Sequence, residues 1–295
     1  MSPPRLRLAR RVRMQLMALK AATQVVALTI PRVLIPGRLG SKLAGGQRLR
    51  QGLILVLPGI EGESYINHTI AHGLNDAGIR DAIEIFDWTR GRMFLLDNLM
   101  NAARHGRQAD RLADRVRQYQ QAWPDRPVHI VAHSGGAGLA AFALERLDRE
   151  RPITAAVFMA PALSPRYNLA PALRRTTRGI YNLYSPHDNF YLGAGTAAFG
   201  TVDRRHARAA GKVGFAMPEG LPAADADVYR TKLHQETWRW EMLADGHAGG
   251  HLGWAGRRFV RNWVAPIVLD HRFGEAGFTA QTRRTESRQN DVTSE

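Results

Sequence analysis

The chain has 295 residues, 44% of them hydrophobic, enough to bury the core of an α/β domain; it has no cysteine, which excludes a disulfide framework, a thiolate metal site and a cysteine nucleophile. Its formal net charge of +15 is unevenly placed: residues 1–50 carry eleven Lys or Arg and no Asp or Glu, so the remainder is only mildly basic. That basic segment contains no Phe, Tyr or Trp to stack on bases, which argues against nucleic acid as a partner.

Residues 1–50 read as a basic N-terminal arm. Arg5 to Arg13 precede seventeen mostly apolar residues, Met14 to Ile30, with a single charge at Lys20. The run is short for a membrane span and lacks a clear A-x-A cleavage site. Leu8, Val12, Leu16 and Leu19 recur at helical spacing among arginines, the pattern of a basic amphipathic helix. Such a helix packs on the body, contacts a membrane surface or targets the chain. The compartment stays open, cytoplasmic or membrane-associated through this arm, and so does the oligomeric state.

The body, residues 51–275, alternates strand and helix. Gly52 to Pro58 is an unbroken apolar run of the kind a doubly covered parallel strand requires, and it stops at Pro58-Gly59-Ile60-Glu61-Gly62. Ser64 caps a helix to Leu74, closed by Gly78. Ile79 to Trp88 is a second strand, and Gln108 to Trp123 a surface helix with Leu112, Val116 and Tyr119 on its apolar side. Pro127 to Leu144 is an apolar strand that breaks at Ser134 into glycines and runs on as a helix. Two further strands, Ile153 to Met159 and Gly179 to Tyr184, end in proline-containing loops, and Thr237 to Leu243 is the last. A terminal helix spans Trp254 to Val268. Residues 276–295 are a polar tail without apolar periodicity, expected to be disordered. The alternation predicts an α/β fold, a mostly parallel sheet with helices on both faces and chemistry at the carboxyl ends of the strands.

A serine at a strand-to-helix corner needs small residues two positions before and after it, and Ala132 and Gly136 supply them. Gly136-Ala-Gly138-Leu-Ala-Ala141 also fits a dinucleotide-binding turn. Yet the acid expected about 20 residues on to hold a ribose is missing, because the next apolar run ends in Met-Ala-Pro. His68 and His72, and again His247 and His251, have the i, i+4 spacing of a zinc helix. Position 69 is threonine where that motif needs glutamate, and the second pair lies among glycines, so no metal is assigned.

Ala132-His-Ser134-Gly-Gly136 resembles the G-x-S-x-G nucleophile elbow of the α/β-hydrolase family, with alanine for the first glycine. The resemblance covers residues 51–271 and implies a serine, acid, histidine order. Ser134 is then the nucleophile. Asp188, the only acid between Arg151 and Gly200, is the acid, and His251 the base, with His247 as its alternative. The resemblance further implies oxyanion donors at the backbone of Ile60, in a turn like the family's His-Gly-x or Pro-Gly-x, and of Gly135. Glu61 and Glu63 beside that turn read as solvated loop acids. Residues 161–178 leave little chain for a large cap, so a small or open acyl pocket is expected, with Phe190, Tyr191 and Phe199 as candidate lining. The implied activity is cleavage of a small or lipid-like carboxylic ester by an acyl-enzyme mechanism with no cofactor. The alternatives are an amidase, peptidase or thioesterase of the same fold, or an inactive binding protein.

Overall fold

A computed structural model describes residues 41–188, 201–205 and 208–269. Most of the basic arm, the polar tail and the candidate pocket residues Phe190, Tyr191 and Phe199 lie outside these residues.

Six strands, β1 (Leu53–Leu57), β2 (Ala82–Ile85), β3 (Val128–His133), β4 (Ala155–Met159), β5 (Ile180–Tyr184) and β6 (Leu233–Thr237), form one sheet in the order β2-β1-β3-β4-β5-β6. Every neighbouring pair is parallel. All five residues of β1 are fully buried, as a central strand covered on both faces must be. Each such aliphatic side chain contributes about 1.5–3 kcal/mol of transfer free energy. Alternation then divides the core in two. Leu53, Leu55 and Leu57 pack with Ala132 against helices α2 (Ala102–Ala122) and α3 (Gly135–Leu144). Ile54 and Val56 face α1 (Tyr65–Asp76) and the C-terminal helical segment.

The element ends show where local pattern fell short. Helix α1 starts after Ser64, whose N–H donates to Asn67 Oδ1 at 2.7 Å, one half of a capping box. Helix α2 begins at Ala102, earlier than its apolar periodicity predicts. Asn101 Oδ1 accepts the Arg104 N–H at 3.0 Å there, and the buried His105 ring donates to Asn98 O at 2.7 Å, so polar contacts anchor the first turn. Strand β6 spans Leu233–Thr237 rather than Thr237 to Leu243. The expected run places Trp240 and Leu243 in solvent on a 3₁₀ turn (Trp240–Asp245), while the polar strand pairs with β5 and Gln235 holds Phe215 through both its N–H and its carbonyl. Helix α4 (Ala223–Lys232), which precedes β6, has a weak apolar pattern and was not expected. The terminal helix is also broken. A 3₁₀ turn (His251–Ala255) ends at Gly256, and the helix then runs from Arg257–Phe259 through a π turn (Val260–Val264) into Ala265–Leu269. Pro266, which has no N–H to give to the turn before it, follows that widening.

Candidate active site

The register of β1 on β3 sets Leu57 beside Ala132, so the loop after β1 and the corner after β3 emerge side by side at the carboxyl edge of the sheet. Ser134 occupies that corner with φ 53° and ψ −118°, a conformation that costs a non-glycine residue about 1–3 kcal/mol. Surrounding bonds hold it there: its N–H donates to Met159 O at 2.9 Å, and its carbonyl accepts from Ala137 and Ala162. Ala132 is fully buried in the core, which accommodates the methyl group by which this turn departs from glycine. Gly136 has no such freedom. A Cβ there would lie 2.4 Å from Pro58 O and 2.8 Å from Leu57 O.

The loop after β1 is tied down group by group. Trp88 Nε1 donates to Pro58 O at 2.8 Å, Gly62 N–H to Gly59 O at 3.2 Å, Asn98 Nδ2 to Ile60 O at 2.9 Å, and Gly59 N–H to Glu61 Oε1 at 3.2 Å. Among the described residues neither Ile60 N–H nor Gly135 N–H has an acceptor. The two lie together, since a Cβ built on Gly135 would stand 3.6 Å from Ile60 N. Two unspent donors beside a serine can stabilise an oxyanion.

The loops that carry Asp188 and His251 follow β5 and β6, whose last residues Tyr184 and Thr237 are paired. Asp188 is 2% exposed, and its Oδ2 lies 2.5 Å from His251 Nδ1. A carboxylate at that distance keeps the proton on Nδ1 and leaves Nε2 to accept another. Ser185 Oγ donates to Gly249 O at 2.6 Å, joining the two loops a second time. The buried Lys212 ammonium donates to Pro186 O at 2.7 Å; burial lowers its pKa, against the pull of the Asp188 carboxylate.

The structure separates the two candidate bases. His247 is fully buried among Trp254, Phe259 and Trp238, and its Nδ1 accepts the Gly249 N–H at 3.0 Å. Burial pushes its pKa down to about 3, with only partial compensation from Asp188. It is a neutral core histidine, while His251 holds Asp188. Of the other spaced pair, His68 sits 3.0 Å from Glu63, so its ring is already engaged.

Three residues here make contacts that their sequence setting does not announce. His133, immediately before Ser134, donates Nε2–H to the backbone carbonyl of His251 at 3.1 Å, and burial lowers its pKa to about 3. Its parity with Val131 on β3 puts it on the face that carries the C-terminal helix, a signal that becomes readable only once the faces are assigned. Trp88 and Glu61 carry no motif. Glu61 is not a solvated acid, because its carboxyl turns in over the loop. Burial raises its pKa, opposed by its own N–H, His251, Gly59 and Asn67.

No family model matches this sequence, and no curated protein matches it. Solved structures similar to the chain include Est1E from Butyrivibrio proteoclasticus, at 12% identity and a TM-score of 0.43 over 77% of this chain and 90% of that one. A cutinase-like protein from Cryptococcus sp. aligns at 14% identity and a TM-score of 0.41, over 77% and 97%. Esterase PE8 aligns at 15% and 0.38, over 68% and 85%. In this chain itself, the parallel sheet in the order β2-β1-β3-β4-β5-β6, covered by helices on both faces and turning sharply at Ser134 between β3 and α3, is an α/β-hydrolase-like fold.

Proposed function

We propose that this protein is a serine hydrolase that cleaves a carboxylic ester through an acyl-enzyme. In this reading His251 Nε2 takes the Ser134 proton as Oγ attacks the ester carbonyl. Asp188 holds the imidazole in the required tautomer and balances its charge, and Ile60 and Gly135 N–H bind the developing oxyanion. The proton then passes to the leaving alkoxide, and water repeats the cycle on the acyl-serine. The observation that carries the reading is the 2.5 Å contact between Asp188 and His251, buried and 63 residues apart in sequence. A buried pair of this kind, whose histidine packs on the residue that precedes a serine held at a strained corner, supports nucleophilic catalysis over a plain structural turn.

A fluorophosphonate probe and a panel of p-nitrophenyl esters test it. The protein is expected to label and to turn over an ester, and Ser134→Ala to do neither. A folded wild-type protein that takes up no probe would make the binding-protein reading correct. Labelling with turnover of amides or thioesters but no ester would keep the serine and replace the substrate class.

A further inference from the structure

We infer that Glu61 is a positioning residue for the oxyanion hole, its side chain acting as the hydrogen-bond acceptor that turns the Pro58-Gly59-Ile60 backbone so that the Ile60 N–H faces Ser134. The inference rests on the hydrolase reading above and deepens it.

The loop accounts for its backbone polar groups one by one. Pro58 O is taken by Trp88, Gly59 O by Gly62 N–H, and Ile60 O by Asn98, each from a different segment of chain. Gly59 N–H finds no backbone carbonyl among the described residues, and Glu61 Oε1 accepts it at 3.2 Å. Without that acceptor the Gly59 N–H is a buried donor left to find another partner, and the Pro58–Gly59 peptide is held at its carbonyl by Trp88 alone. A tilt of that peptide passes through the Gly59 Cα to the next one, Gly59–Ile60, which carries the Ile60 N–H and is otherwise held by the Gly62 N–H. Gly59 is the residue that allows the carboxyl to fold back so closely: a Cβ there would stand 2.3 Å from Glu61 Oε2 and 3.2 Å from Ser134 Cβ. Glu61 and Ser134 thus flank the same face of Gly59. The charge of His251 and the side chain of Asn67, at the start of α1, both favour the ionised Glu61 carboxylate, against its burial.

An acceptor role and a charge role make different demands. Glutamine keeps an oxygen acceptor and loses the charge; alanine loses both. Steady-state ester hydrolysis by Glu61→Gln and Glu61→Ala, with hydrogen–deuterium exchange over residues 58–62, separates them. The expected result is a kcat within about 3-fold of wild type for the glutamine variant and a kcat lower by roughly 10- to 100-fold for alanine, with KM changed less than about 3-fold in both. The Gly59 amide should exchange faster in Glu61→Ala alone. A kcat for Glu61→Ala close to wild type would overturn the inference, as would a loss confined to KM or an equal loss in both variants. The exchange arm needs no activity. If wild-type protein neither labels nor hydrolyses while the exchange pattern holds, the hydrolase reading fails and the loop geometry stands. If wild type is active and Gly59 exchange is the same in all three proteins, the Glu61 inference fails alone.

Discussion

His133 and His251, 118 residues apart, are joined by a hydrogen bond from the Nε2–H of the first to the backbone carbonyl of the second at 3.1 Å, and their rings stand 4.8 Å apart. The residue before the candidate nucleophile thus holds the loop that carries the candidate base. A deletion of this bond should act on geometry more than on binding. His133→Ala is expected to lower kcat by roughly 10-fold or more with little change in KM, because base and nucleophile then lose their common anchor. It should also destabilise the fold by about 2 kcal/mol through the lost bond and the cavity. Kinetics together with a melting curve check both; an unchanged kcat in a folded variant would reduce His133 to core filling.

Asp188→Asn leaves the shape of the loop after β5 and removes the charge that fixes His251 Nδ1–H. In the proposed mechanism kcat should fall by about 10³- to 10⁴-fold, since an amide can hold the wrong tautomer and does not stabilise imidazolium. A loss smaller than 10-fold would show that Asp188 is not the orienting acid.

Two buried histidines make stability depend on acid in a definite direction. His133 and His247 have pKa values pushed down to about 3 from the 6.5 of a free imidazole, so the unfolded chain binds more protons than the folded one between those limits. Their contribution is complete above pH 6.5 and is lost as pH falls toward 3, by up to about 1.4 kcal/mol per pH unit for each ring. The raised pKa values of Glu61, Glu145 and Glu236 act in the opposite sense, so the contrast with a variant is the informative quantity. His247→Phe fits an aromatic surrounding but loses the Gly249 contact. It should melt earlier than wild type at pH 7 and lose less on going to pH 4.5. Parallel melting curves across that range would refute the assignment of His247 as a neutral core residue.

Gly136→Ala and Gly106→Ala should move stability in opposite directions. The first sets a methyl against the backbone oxygens of Leu57 and Pro58, which cannot yield without shifting β1. A cost of about 3 kcal/mol follows, with a fall in Tm of roughly 10 °C and loss of the elbow geometry. The second lies inside α2 with only the Arg146 guanidinium within 4 Å, where alanine adds up to about 1 kcal/mol of helix propensity. Thermal melts of the two proteins are sufficient to check the contrast.

Much of the architecture is written in local pattern. Buried strands such as Leu53–Leu57 announce themselves as unbroken apolar runs, and Ser134 announces itself by the small residues at a strand-to-helix corner, because steric exclusion acts over two or three neighbours. The order of Ser134, Asp188 and His251 is likewise a property of the chain. Edge and loop elements were less legible. Strand β6 is polar because it is half exposed at the sheet edge, and the turn at Trp240–Asp245 carries the aromatics that imitate a strand. Only the tertiary structure tells the surroundings of His251 and His247 apart, since both sit in the same glycine-rich stretch and differ in what packs around them: Asp188 against one, three aromatic rings against the other. The same holds for His133, Trp88 and Glu61. Each acts through a hydrogen bond to a backbone group, and a backbone partner leaves no trace in residue type or spacing; it exists once the sheet register has brought the loops together.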